Sequence, residues 1–133
     1  MVRPLRIAVV EAHDDLRYLY VNVLATQSHE VKGLSCTEEL DEMFSSGSAD
    51  LLILDLNLPN EDGFSISQRL RETRSNLYIL MLSASTSVAN RINGYAAGAD
   101  IYLSKPVSPD ELVAAVGSIA RRCNKREYVM CNP

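Results

Sequence analysis

Residues 51–59 read Leu51-Leu52-Ile53-Leu54-Asp55-Leu56-Asn57-Leu58-Pro59. The first four are large aliphatic residues that do not alternate with polar ones, a pattern typical of a strand buried on both faces of a parallel sheet. The run ends at an acid, Asp55, and the chain then turns at Pro59. Functional groups in open α/β sheets collect just beyond the carboxyl ends of the strands, so Asp55 is a candidate nucleophile or metal ligand. The alternative is an acid that only caps a loop.

The segments on either side repeat the pattern of an apolar run followed by helical spacing. Strands are predicted at residues 7–10, 30–34, 51–55, 77–82 and 100–103, and helices at residues 14–24, 37–44, 62–73, 86–97 and 108–122. Such alternation predicts parallel βαβ units with right-handed crossovers. The expected fold class is therefore α/β, with one open sheet covered by helices on both faces.

Polar residues and glycines mark several predicted helix ends. Asp14, Thr37 and Ser108 are placed as N-caps, whose side-chain oxygens accept hydrogen bonds from the first turn. Gly98 fits the position just after a helix C-terminus. Within helix 86–97, Gly94 is expected to weaken the helix by about 1 kcal/mol relative to alanine.

Length and composition limit the classes of protein. With 133 residues and a net charge of −4, the chain is expected to form one domain without a broad basic surface for nucleic acid. Its scattered cysteines, Cys36, Cys123 and Cys131, indicate a reduced, cytoplasmic protein. No apolar run reaches the roughly 18–20 residues that span a bilayer, and no signal peptide is expected. We expect the domain to cover residues 1–122, with a linker or C-terminal stub over residues 123–133.

Four reactive side chains follow the predicted strand ends: Glu11, Asp55, Ser83 and Lys105. In a doubly wound sheet these ends are neighbours, so the four groups should share one small pocket. Glu11 and Asp55 would attract Mg2+, which prefers oxygen ligands. Lys105 would pair with phosphoryl oxygens, and Ser83 would hydrogen-bond them. The set therefore suits phosphoryl transfer to Asp55.

These residues lie in motifs that closely resemble the response-regulator receiver family (CheY-like) of two-component signalling, across residues 6–122. The motifs are Leu52-Ile53-Leu54-Asp55-Leu56-Asn57-Leu58-Pro59 with Asp62-Gly63, Met81-Leu82-Ser83-Ala84, Gly98-Ala99-Asp100-Ile101-Tyr102-Leu103, and Lys105-Pro106. Together, in this order and spacing, they are highly specific. The resemblance implies a (βα)5 doubly wound sheet whose five parallel strands have the flavodoxin-like order 2-1-3-4-5.

The resemblance also implies the roles at the phosphorylation site. Asp55 would accept a phosphoryl group from the phosphohistidine of a sensor histidine kinase. Glu11, Asp55 and the backbone carbonyl of Asn57 would hold Mg2+. The peptide bond between Lys105 and Pro106 would be cis. Such a domain is a signalling module rather than an enzyme, with at most self-catalysed phosphorylation and dephosphorylation.

Ser83 and Tyr102 would form the switch pair implied by the resemblance. The hydroxyl would move to the phosphoryl group while the aromatic ring turns inward. The face made by the fourth helix, the fifth strand and the fifth helix would then control an output.

One departure from the family pattern falls at the metal site. The family carries two adjacent acids after the first strand, and this chain has Glu11-Ala12. We expect Asp14 and Asp15 to lie at the start of the first helix, as a cap and a solvated face, and His13 to be a loop residue. Losing one carboxylate should weaken Mg2+ binding and slow phosphorylation.

The run from Lys105 to Val113 resembles receivers of winged-helix (OmpR/PhoB-like) DNA-binding regulators, which dimerise through the face defined above. Arg91, Asp100 and Glu111 match the charges used there, whereas Asn93, Ile101 and Ala115 replace charged residues. The implied partners are a sensor histidine kinase, a possible second copy, and a possible DNA-binding effector domain outside this segment. The basic residues near position 122, which are Arg121, Arg122, Lys125 and Arg126, are better explained by the helix C-terminus than by DNA contact.

Three other functions remain as alternatives. A haloacid-dehalogenase-like phosphatase needs an acid two residues after the nucleophile, where this chain has Asn57. A flavin-binding module of the same topology needs a phosphate-binding loop after the first strand, and none follows it. A receiver-fold interaction module that works without phosphorylation is equally compatible with Ala12.

Overall fold

The computed structural model describes residues 3–131. The strands are β1 (Arg6–Val10), β2 (Glu30–Leu34), β3 (Leu51–Asp55), β4 (Tyr78–Ser83) and β5 (Ile101–Ser104). The helices are α1 (Asp14–Ala25), α2 (Thr37–Ser46), α3 (Gly63–Thr73), α4 (Val88–Ala96) and α5 (Pro109–Cys131). All strand pairs are parallel, in the order β2-β1-β3-β4-β5. The α/β class and the strand order 2-1-3-4-5 predicted from the sequence are therefore confirmed.

The central strand β3 is buried along its whole length, as its unbroken aliphatic run predicts. Because side chains alternate along a strand, Leu51 and Ile53 join one core with α1 and α5, while Leu52 and Leu54 join another with α2 and α3. Full burial of each such side chain contributes about 1.5–3 kcal/mol, so β3 anchors both layers of helices.

The strand register aligns the carboxyl ends at which the reactive side chains stand. Val10 of β1 pairs with Leu54, Asp55 pairs with Leu82 of β4, and Ser83 pairs with Ser104 of β5. Consequently, the reactive side chains lie along the carboxyl end of the sheet, in the order Glu11, Asp55, Ser83 and Lys105. None of the helices described over residues 3–131 is long and apolar enough to cross a membrane.

The helix caps agree with the sequence only in part. Ser108 caps α5 as predicted, since its Oγ accepts from the Glu111 N–H at 3.1 Å. The cap of α1 is His13 rather than Asp14, because His13 has the extended backbone that a cap requires and its Nδ1 accepts from the Leu16 N–H. Similarly, Cys36 occupies the cap position of α2, and Thr37 is already helical.

The last helix continues beyond Arg122 to Cys131, whereas the sequence predicted that the helical pattern ends at Arg122. Cys123 extends the apolar face of α5 by one turn and is buried in the core. The Arg126 guanidinium lies 4.8 Å from the ring centre of Tyr78. These contacts extend the packing of α5 past the predicted boundary. The division into a domain and a linker or stub remains a prediction.

Helix α4 packs differently from the other helices. Its periodic apolar residues Val88, Ile92 and Tyr95 are each more than half exposed. Its buried side contains Gly94, where an added Cβ would lie 2.7 Å from Cδ2 of Tyr102. The glycine that weakens this helix is therefore the residue that lets the tyrosine ring pack against it.

Candidate functional site

The site is built from residues at or just beyond three neighbouring strand ends and from a lysine that follows β5. Glu11, Asp55 and Ser83 are 2%, 3% and 5% exposed. The ammonium of Lys105 donates to Glu11 Oε1 at 2.7 Å and lies 3.2 Å from Asp55 Oδ2. One cation thus holds two buried carboxylates together.

Backbone groups fix the two carboxylates in the same place. The Asn57 N–H donates to Asp55 Oδ1 at 3.0 Å, and the His13 N–H donates to Glu11 Oε2 at 3.1 Å. Arg17, which the sequence did not single out, donates from Nη1 to the backbone carbonyl of Glu11 at 2.8 Å. These bonds orient both acids before any ligand arrives.

Burial and neighbouring groups shift the pKa values of Glu11 and Lys105. Burial, followed by the hydrogen bond with Asp55, raises the pKa of Glu11 above its ordinary value. Burial acts to lower the pKa of Lys105, but its hydrogen bond to Glu11 and the charges of Asp55 and Glu11 outweigh this, so the pKa of Lys105 is raised. Lys105 therefore stays positively charged at neutral pH. The two acids repel each other when both are ionised.

The donor set for a metal ion is small. Within residues 3–131, no three His, Cys, Asp or Glu side chains form a group that could hold a metal. Asp14 pairs with Arg17 at 2.5 Å and is 77% exposed, so it does not replace the acid missing at Ala12. Glu11, Asp55 and the Asn57 carbonyl remain. The oxygens of this set fit Mg2+, which usually keeps several waters.

The two residues of the predicted switch pair are linked through the loop after β4. Ser83 Oγ accepts from the Ser85 N–H at 3.0 Å. The Tyr102 ring is buried, and its hydroxyl donates to the Ser85 carbonyl over a long 3.4 Å. The peptide bond between Lys105 and Pro106 is cis, as predicted. Ser85 was not predicted, although the serine cluster after β4 was a signal that could have pointed to it.

One of the three charges expected to serve a dimer, that of Asp100, is already paired within the chain. Asp100 Oδ2 lies 3.1 Å from Arg71 Nη2 and accepts from the Ile79 N–H at 2.8 Å. This acid therefore ties β4 and α3 together within the chain. Arg91 and Glu111 are exposed.

Comparison with known proteins agrees with this geometry. A family model described as "Response regulator receiver domain" matches residues 7–117. The chain is 36% identical to the "Transcriptional regulatory protein TcrA" of Mycobacterium tuberculosis over 91% of its own length and 48% of the relative. It is 35% identical to the "Probable transcriptional regulator ycf27" of Porphyridium aerugineum, over 90% and 50%. The chain thus spans about half the length of these curated relatives.

A solved structure supports the same assignment. The response regulator DrrB of Thermotoga maritima, described as an OmpR/PhoB homologue, superposes with a TM-score of 0.84 at 27% identity. The match covers 90% of this chain and 54% of DrrB. The chain therefore belongs to the response regulator receiver domain family, whose members are signalling domains of two-component systems.

Proposed function

We propose that this receiver domain accepts a phosphoryl group on Asp55 from a phosphohistidine of a sensor histidine kinase. The observation that carries the proposal is the position of Lys105, whose ammonium lies 3.2 Å from the Asp55 carboxylate. Phosphoryl transfer depends mainly on positioning and on neutralising charge, and this arrangement supplies both. Aspartate phosphorylation is also consistent with the family to which the chain belongs.

The transfer itself exchanges one bond for another. A carboxylate oxygen of Asp55 attacks phosphorus, the bond between phosphorus and the imidazole nitrogen breaks, and its electron pair stays on the histidine. The Asn57 N–H holds the carboxylate through Oδ1, and the Lys105 ammonium pairs with a phosphoryl oxygen. The hydroxyl of Ser83 donates a hydrogen bond to another phosphoryl oxygen.

Mg2+ would bind to Glu11, Asp55 and the carbonyl of Asn57, with water completing its shell. When bound there, the ion would supply positive charge to offset that of the phosphoryl oxygens. Ala12 offers no ligand, so its affinity should be lower than that of a site with two adjacent acids. We therefore expect that Asp55 can accept a phosphoryl group and that its phosphorylation is slow.

The proposed output follows from the switch pair. Ser83 and Tyr102 would pass the state of Asp55 to the face made by α4, β5 and α5. The partners we propose are a sensor histidine kinase, a second copy bound through that face, and a DNA-binding effector domain. The transcriptional regulators among the relatives support such an effector and a cytoplasmic location.

A second function is favoured by Ala12 and by the ion pairs of Lys105. Because Lys105 already contacts both acids within the chain, the domain would act as an interaction module that does not need phosphorylation. The two functions differ in whether Asp55 is ever modified.

Incubation with a saturating acyl phosphate and Mg2+, followed by mass spectrometry of acid-quenched protein, tests the proposal. We expect one phosphoryl group on the wild type and none on Asp55→Asn. An unmodified wild type would support the interaction module instead, and equal modification of Asp55→Asn would exclude Asp55 as the acceptor.

A further inference from the structure

Ser85 stands between α4 and both residues of the switch pair. Its backbone N–H donates to Ser83 Oγ at 3.0 Å, and its backbone carbonyl accepts from the Tyr102 hydroxyl at 3.4 Å. The position of one residue in the loop after β4 therefore determines the surroundings of both polar groups.

The side chain of Ser85 is in turn fixed by α4. Its Oγ accepts from Asn90 Nδ2 at 2.8 Å and from the Ser87 N–H at 3.2 Å, and it donates to Ser87 Oγ at 3.3 Å. A serine hydroxyl has one donor and two acceptor sites, so all of its capacity is used. Of these three bonds, the one from Asn90 is the shortest. It is also the one that comes from a residue inside the helix.

We propose that Asn90 is a positioning residue, which through Ser85 sets the positions of the Ser83 hydroxyl and the Tyr102 ring. Because Ser83 Oγ accepts from Ser85, the proton of its own hydroxyl stays available as a donor to a phosphoryl oxygen on Asp55. A displacement of the loop toward Asp55 must pull on Asn90, and this couples α4 to the phosphorylation site. The inference rests on the proposed role of Ser83 and Tyr102 as a switch.

The test uses tyrosine labelled with carbon-13 in the unphosphorylated protein, with the Tyr102 resonance assigned through Tyr102→Phe. Asn90→Ala and Ser85→Ala should each shift this resonance. The double variant should shift it no further than Ser85→Ala alone, because Ser85→Ala already removes the bond from Asn90. Asn93→Ala, which alters an exposed asparagine of the same helix, should leave it unchanged. An unmoved Tyr102 in Asn90→Ala, an additive double variant, or an equal shift in Asn93→Ala would overturn the proposal.

A second measurement connects the contact to phosphorylation. Loss of one hydrogen bond that positions Ser83 should slow acyl phosphate loading of Asp55 roughly 2- to 10-fold in Asn90→Ala, with Mg2+ affinity unchanged. A loading rate equal to that of the wild type would contradict the coupling. If the wild type itself is not loaded, the proposed function fails, and the tyrosine spectra still decide whether Asn90 positions Tyr102.

Discussion

The ammonium of Lys105 lies 2.7 Å from Glu11 Oε1, and the same group lies 3.2 Å from Asp55 Oδ2. In a low-dielectric site, two carboxylates at such close range repel each other unless a cation lies between them. Lys105 supplies that cation from within the chain. It also lies where it would meet the phosphoryl group of the proposed transfer to Asp55, so we expect both the stability and the proposed function to depend on this one side chain.

Replacing Lys105 by methionine should destabilise the protein by roughly 3 kcal/mol at pH 7, because the two buried acids lose their counter-charge. The loss should be smaller at pH 5, since the pKa of Glu11 rises further without the lysine and the acid becomes neutral. Urea unfolding at both pH values measures this. Lys32→Met, at an exposed position, is the control. Equal stability of Lys105→Met and the wild type at pH 7 would exclude a strong ion pair.

The raised pKa of Glu11 predicts a specific pH dependence of stability. A carboxyl whose folded pKa lies above its ordinary value of 4.5 contributes stability below that pH, and this contribution is lost as pH rises through the folded pKa. Glu11→Gln keeps the shape of the side chain but cannot ionise. We expect the variant to gain stability relative to the wild type between pH 4.5 and 7, as followed by unfolding in urea. If the difference in unfolding free energy between the variant and the wild type does not change over this range, ionised Glu11 does not destabilise the folded protein.

Restoring the missing acid should strengthen the metal site. Ala12→Asp adds a carboxylate beside Glu11, and we expect Mg2+ to bind at least about 10-fold more tightly, as measured by calorimetric titration. Asp14→Asn serves as the control, because Asp14 is exposed and paired with Arg17. Unchanged affinity in Ala12→Asp would mean that position 12 does not face the ion.

Gly94 and Gly117 should respond in opposite ways to alanine. A Cβ on Gly94 would lie 2.7 Å from Tyr102 Cδ2 and 3.2 Å from Met81 Sδ, whereas one on Gly117 meets nothing closer than Arg121 Nη1 at 3.8 Å. We expect Gly94→Ala to lose about 1–3 kcal/mol through overpacking, and Gly117→Ala to gain up to about 1 kcal/mol through helix propensity. Thermal unfolding of the two variants measures both effects. A stabilised Gly94→Ala would show that the Tyr102 ring is free to move away.

The sequence was sufficient to predict the sheet and the cluster of Glu11, Asp55 and Lys105. Unbroken aliphatic runs identify buried parallel strands, and the resemblance to receivers implied the strand order that makes their carboxyl ends neighbours. The cap at His13 was not predicted because hydrophobic periodicity does not show at which residue the extended backbone ends and the helix begins. A shift of one residue changes which side chain caps the helix.

The bond between Asp100 and Arg71 joins residues far apart in the chain, and sequence spacing carries no signal for it. Asp100 has a charge suited to a partner chain, but the fold brings Arg71 to it first. The length of α5 was underestimated because Cys123 continues the apolar face without a strongly hydrophobic side chain.

The most direct test of the account is the rate of Asp55 phosphorylation by an acyl phosphate over a series of Mg2+ concentrations, in the wild type and in Ala12→Asp. We predict that the wild type is phosphorylated slowly, and that its rate still rises at Mg2+ concentrations at which the rate of Ala12→Asp no longer increases. A wild type that is never loaded, or one that saturates at the same Mg2+ concentration as Ala12→Asp, would contradict it.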